Sequence, residues 1–273
     1  MITNVASHPL PLFDSATHPA LKNGWLSSMP EVKNSPHDLL REMSENNVKW
    51  ALALGMANIG GYDVDRYADF VRALSPSLLP VAYCEFDKLT SRESITPYVK
   101  AIAAHGYVGI KIHPRFSKVP ITHAFLEHII KASNDAGLFI CLCTMLMDPV
   151  NAVQNSTANL IQFLSSVPTE KMILLHGRTV RVLELMEIVK MFKNKLVDLS
   201  YTMLKYEGSS LDYDLRWLFK HCDRRICVGS DHPEWSLLQL RNRFETLAAG
   251  IETAQAENIA YKNLTAFCGV RPA

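Results

Sequence analysis

The stretch VGIKIHPRFSKVPITHAFLEHIIKASNDAGLFICLCT, residues 108–144, carries one whole strand–helix–strand unit. VGIKIHP (108–114) reads as a strand that its proline brings to an end. HAFLEHIIKASNDAG (123–137) spaces its apolar residues at helical intervals and stops at a glycine. LFICLCT (138–144) is strand-like again, with Cys141 and Cys143 alternating inside an apolar run. The same succession fills the rest of the chain. Further strands are expected at PLFDSATH (11–18), KWALALGM (49–56), LLPVAYCEF (78–86), KMILLHG (171–177), LVDLSYT (196–202) and RICVGSDHP (225–233). Amphipathic stretches stand between them, from PHDLLREMSENN (36–47) to SLLQLRNRFETLAAG (236–250), and TAQAENIAYKNLTAFCG (253–269) adds a closing helix. Eight alternations in this length predict an α/β chain folded as one (β/α)8 barrel of the TIM type over residues 1–273. An open doubly wound sheet also alternates, but usually stops at about five to seven strands.

Composition narrows the function classes. The chain is 48% apolar, and 28 Lys+Arg oppose 27 Asp+Glu for a formal net charge of +1. That balance gives no electrostatic case for nucleic acid or an anionic membrane. The opening MITNVASHPLPLFD has neither the basic nor the apolar segment of a signal peptide. The apolar run LFICLCTMLM (138–147) is about half of what a membrane span needs. The six cysteines form no CxxC pair, which suits a reduced, cytoplasmic protein. A small-molecule substrate is the expected partner, and homo-oligomers are frequent among such barrels.

The polar residues fall in a pattern. His18, His113, His176 and Asp231 each stand at or next to the end of an expected strand. In a barrel those ends gather on the face where active sites are built. Period-two alternation would point Asp14, Ala16 and His18 the same way and set Lys111 one layer below His113. Each residue also has a plainer reading. A single strand-end histidine is often only hydrogen-bonded structure, and Asp231 in GSDHP suits a turn cap. Lys111 suits a buried ion pair with Asp14, and Cys143 suits a small core residue. Three histidines and an aspartate from four strands at one end favour a site. Such a set is what water activation needs, with or without a metal.

At these residues the chain resembles the amidohydrolase superfamily, in particular the amidohydrolase-2 branch related to aminocarboxymuconate-semialdehyde decarboxylase. FDSATHP, GIKIHP, LLHG and GSDHP match its landmarks in order, and ENIAYKNLTAF is similar to its last helix. The resemblance implies a first strand ending in Asp-x-His-x-His with both histidines on a divalent metal. Here Asp14 and His18 match, and Ala16 replaces the first histidine. It also implies a metal-binding histidine at the end of the fifth strand, where Cys143 stands. His176 corresponds to a histidine that binds metal or acts in acid–base catalysis, and Asp231 to an aspartate that binds metal, acts as the base, or does both.

Two outcomes for the cofactor stay open at this point. His18, Cys143 and Asp231 make a three-ligand set for zinc or manganese, with thiolate replacing imidazole; equally, the site works without metal. The leading expectation is a hydrolase for a small anionic carbonyl compound (a lactone, ester or amide). Asp231 takes a proton from water while His176 and His18 orient the carbonyl. Arg178 and Arg115 are the expected carboxylate clamps, with Lys111 and His113 on the pocket floor. The alternatives are a metal-dependent decarboxylase of the same family and an inactive barrel that serves as a binding protein.

Overall fold

Every expected apolar run becomes a parallel strand. The computed structural model describes residues 9–29, 31–145 and 153–270, so residues 1–8 of the opening segment and 146–147 of the long apolar run lie outside the description. The strands are β1 (Leu12–Thr17), β2 (Val48–Leu54), β3 (Leu78–Tyr83), β4 (Gly109–Ile112), β5 (Phe139–Cys143), β6 (Met172–Leu175), β7 (Lys195–Asp198) and β8 (Ile226–Cys227). They pair in chain order from β1 to β8. The barrel closes where Ser15 N donates to Val228 O at 3.0 Å, His18 N donates to His232 O at 2.9 Å, and Thr17 bridges His232.

Helices follow the strands as the periodicity predicts: α1 (Pro36–Glu45), α2 (Val64–Leu74), α3 (Ile95–Ala104), α4 (Leu126–Asp135), α5 (Thr157–Ser166), α6 (Val182–Val189), α7 (Leu211–His221) and α8 (Leu237–Ala248). Several begin at side-chain caps that satisfy their first free N–H groups. Asp63 accepts from Asp65 N at 2.9 Å, and Ser236 accepts from Gln239 N at 3.2 Å. Among the described residues no helix is long and apolar enough to cross a membrane.

Strand alternation splits the core into two shells. Ile140 and Leu142 of β5 pack outward under the helices, while Phe139 and Cys141 point into the barrel with Phe13, Ile173 and Cys227. All six cysteines are unpaired. The closing segment departs from one continuous helix. Its two α-helical parts flank a π-helical stretch, Asn258–Lys262, and Asn263 donates to Asp223 O at 2.6 Å and Ile226 O at 2.7 Å. Those two bonds anchor the segment to β8, and Leu264 reaches the inner shell.

β1 also departs from simple alternation. Its pairing with β2 shifts register between Leu12 and Phe13 and again between Asp14 and Thr17. Asp14 therefore does not pair with Lys111. It accepts from Ser230 Oγ at 2.5 Å, Ser230 N at 3.0 Å and Ala16 N at 3.0 Å, and so ties β1 to the loop after β8. That loop comes so close that a Cβ on Gly229 would lie 2.5 Å from Ser15 Oγ. Only glycine fits there.

Candidate active site

A cleft of about 200 Å³ opens at the C-terminal ends of the strands. His18, Lys111, His113, His176 and Asp231 all line it, so the barrel brings together the histidines, the lysine and the aspartate picked out in the sequence. A larger groove of about 490 Å³ lies on the outer layer, between Ile95 and Ala103 on one side and His128 and Ala136 on the other. It is away from these residues.

His18 follows β1 and is 4% exposed. Its Nδ1 lies 2.8 Å from Leu54 O, so that nitrogen carries the proton, and Nε2 faces Asp231 Oδ1 at 3.2 Å. Burial, helped by the Lys111 charge, pulls the imidazole's pKa down to about 4. Asp231 resists its own burial. The charge of His176, the hydrogen-bond contact with His18 and the charge of Lys111 hold its carboxyl well below the usual carboxylate range. His18 and an ionised Asp231 are thus held in direct contact on the cleft wall. Asp231 is no simple turn cap, since it is the backbone carbonyl that accepts from Glu234 N at 3.0 Å.

His176 is set from beneath. Asp198, at the end of β7, accepts the hydroxyls of Ser15 and Ser200, and also Ser200 N at 2.9 Å and His176 N at 3.0 Å. Because Ser200 gives its proton to Asp198, its oxygen accepts from His176 Nδ1 at 3.0 Å. Nε2 is then the nitrogen left open, and Asp231 and Cys143 lie near the ring. Burial alone would lower the pKa of His176, but Asp231 and Cys143 outweigh it and raise it to about 9. His176 is thus an imidazolium beside an ionised carboxylate.

Backbone strain collects at the same place. His176, Arg178, Thr179, Tyr201 and Asp231 all have positive φ between 55° and 65°. The strand-end stretch is held by Thr202 Oγ1 donating to His176 O at 2.5 Å and Arg178 N donating to Thr144 Oγ1 at 2.9 Å. That turn corrects the expectation for Arg178. It sends the guanidinium to Glu184, with Nη1 3.0 Å from Oε2, and Arg178 is not part of the cleft wall. Arg115 is exposed at the mouth, its guanidinium 5.3 Å from the Phe116 ring centre.

The tentative metal set is not assembled among the described residues, where Cys143 lies against His113 and His176. Burial would raise its thiol, but those two imidazoles overcome it and lower the pKa. Burial lowers His113, which accepts from Phe116 N at Nδ1 over 3.3 Å. Among the described residues no three His, Cys, Asp or Glu side chains converge to hold an ion. His18 and Asp231 supply two donors, and the cations beside them are the chain's own His176 and Lys111. Among the described residues the donor set does not fit a catalytic metal, which wants three protein ligands and an open position.

Sequence reasoning passed over several groups. Asp198 carries the second layer, and its signal was a lone carboxylate inside the apolar run LVDLS. Glu234 also lines the cleft, where burial and then Asp231 push its carboxyl up to about 7. Trp25 leans on His18 with ring centres 5.1 Å apart, and Tyr201 packs edge-on against Trp235. Both sit in loops whose side-chain placement no local pattern announces.

Compared by sequence, the chain matches no protein-family model and no curated protein. Compared by fold, it is similar to solved structures at low identity. An uncharacterized TIM-barrel protein of Bordetella bronchiseptica is 16% identical, with a TM-score of 0.79 over 95% of this chain and 100% of that one. 5-Carboxyvanillate decarboxylase of Sphingomonas paucimobilis is 14% identical, with a TM-score of 0.70 over 96% and 100%. 2,6-Dihydroxybenzoate decarboxylase of Rhizobium is 12% identical, with a TM-score of 0.65 over 96% and 99%. The likeness is one of fold, and that fold is the barrel the sequence predicts.

Proposed function

We propose that the chain is an enzyme of amidohydrolase type that hydrolyses a small carboxylate-bearing lactone, ester or amide without a metal. The observation that carries this reading is the direct contact of His18 Nε2 with Asp231 Oδ1, 3.2 Å apart, on the wall of the cleft. A water in the cleft donates to Asp231. Asp231 takes the proton as the oxygen attacks the carbonyl carbon.

His176 supplies the complement. Its imidazolium N–H holds the carbonyl oxygen as negative charge develops there, and the Ser200–Asp198 relay keeps the ring aimed. Two neighbours whose pKa values are driven apart divide the roles of base and electrophile. Glu234 keeps a share of its protons at neutral pH and gives one to the leaving oxygen or nitrogen. Arg115 at the mouth binds the substrate carboxylate.

The test is a panel of carboxylated lactones, esters and amides followed by acid release. It runs beside a carbon dioxide assay on hydroxybenzoates, because the fold is shared with two decarboxylases. Acid release without carbon dioxide supports hydrolysis. Carbon dioxide from an aromatic acid moves the reading to decarboxylation.

A further inference from the structure

Hydrolysis as drawn above gives Lys111 no contact with the substrate. The side chain is 1% exposed, yet it forms part of the cleft wall. The partner of its Nζ is Met56 Sδ at 3.1 Å, a weak acceptor for a group with three donors. Lys195 shows how this chain satisfies a buried lysine elsewhere. Its Nζ donates to Val167 O at 2.9 Å and Glu170 O at 2.6 Å. Lys111 has no such carbonyl partners among the described residues. A buried amine left this way is costly, and it is turned towards a cavity that admits small molecules.

We propose that Lys111 forms an imine with a small aldehyde or 2-oxo acid admitted to the cleft. The cavity of about 200 Å³ limits the size, and Arg115 at its mouth favours a partner that carries a carboxylate. Burial lowers the pKa of the ammonium, which raises the share of free amine. Desolvated lysines are the ones used for such chemistry. The Nζ lone pair adds to the carbonyl carbon and the C=O π pair moves to oxygen. Asp231 takes one N–H proton, and His176 gives its proton to the new oxyanion. The carbinolamine then expels its hydroxyl, which leaves as water with the proton returned from Asp231. The nitrogen pair closes C=N. The net change is amine plus carbonyl plus one proton from His176, giving a protonated imine and water.

The experiment uses the full chain with glyoxylate and sodium cyanoborohydride, read by intact mass and peptide mapping. The expected result is one carboxymethyl group per chain on Lys111, formed about ten-fold or more faster than on the exposed Lys100. Lys111→Met loses that label and Asp231→Asn slows its formation. Should Lys111→Met fail to fold, the wild-type peptide map decides alone. Label confined to surface lysines, with Lys111 intact, overturns the proposal. The readout needs no turnover, so its failure leaves hydrolysis by Asp231 standing, and the reverse also holds.

Discussion

His18 and Asp231 face each other across 3.2 Å while the far nitrogen of His18 donates to the Leu54 carbonyl at 2.8 Å. The backbone bond fixes the ring, and the fixed ring holds its other nitrogen against the carboxylate at the cleft wall. Replacing His18 with Gln keeps an acceptor but loses the fixed ring, and a fall of about 10²-fold in kcat is expected.

Asp198 gives the sharpest test of the layer beneath. It accepts from Ser15, Ser200 and the His176 backbone, and the Ser15 hydroxyl has a second acceptor in Val228 O at 2.9 Å. Asp198→Ala leaves the Ser200 and His176 donors buried and unpaired, at about 1–3 kcal/mol for each one. A fall in Tm is expected from calorimetry. In Asp198→Asn, where the fold is better kept, kcat drops while KM changes little, because His176 loses its aim.

Gly229 tests the closure of the barrel. An alanine Cβ would meet Ser15 Oγ at 2.5 Å, Asp14 Oδ1 at 2.9 Å and Ala16 N at 3.0 Å. Gly229→Ala forces β1 and the loop after β8 apart, and a loss of about 1–3 kcal/mol is expected in urea unfolding.

The pH profile of kcat/KM has two falling limbs on the alkaline side. Glu234 loses its proton at about 7 and His176 at about 9. Glu234→Gln removes the first limb, and His176→Asn removes the second while lowering the rate. The sign for stability follows from His176. Its folded value lies above its ordinary 6.5, so its ion pair with Asp231 contributes fully below pH 6.5 and is lost as pH rises through about 9. Thermal melts between those values should show wild type losing stability that His176→Asn does not.

The two arginines separate cleanly. Arg115→Ala raises KM for a carboxylated substrate with kcat little changed, as expected when uniform binding is removed. Arg178→Ala leaves KM alone, because its guanidinium is spent on Glu184.

The barrel was legible because strand and helix periods are local, and each apolar run kept its period through folding. GSDHP and KIHP announced Asp231 and His113 because turn residues fix where a strand stops, and a strand end in a barrel is already the site. Asp14 was misplaced because a register shift in β1 depends on β2 and β8, which no local pattern records. Arg178 was misplaced for a similar reason. Positive φ at His176, Gly177 and Arg178 turns the chain away from the cleft, and sequence shows that only at the glycine. Asp198 escaped because a buried hub is defined by its donors, which come from three separate stretches.

The most direct measurement is hydrolysis of the best lactone or ester by wild type and Asp231→Asn, each before and after exhaustive chelation. The account predicts that chelated wild type keeps its rate and that Asp231→Asn loses about 10²–10⁴-fold. Activity that vanishes on chelation and returns with zinc or manganese, or an Asp231→Asn variant as fast as wild type, would contradict it.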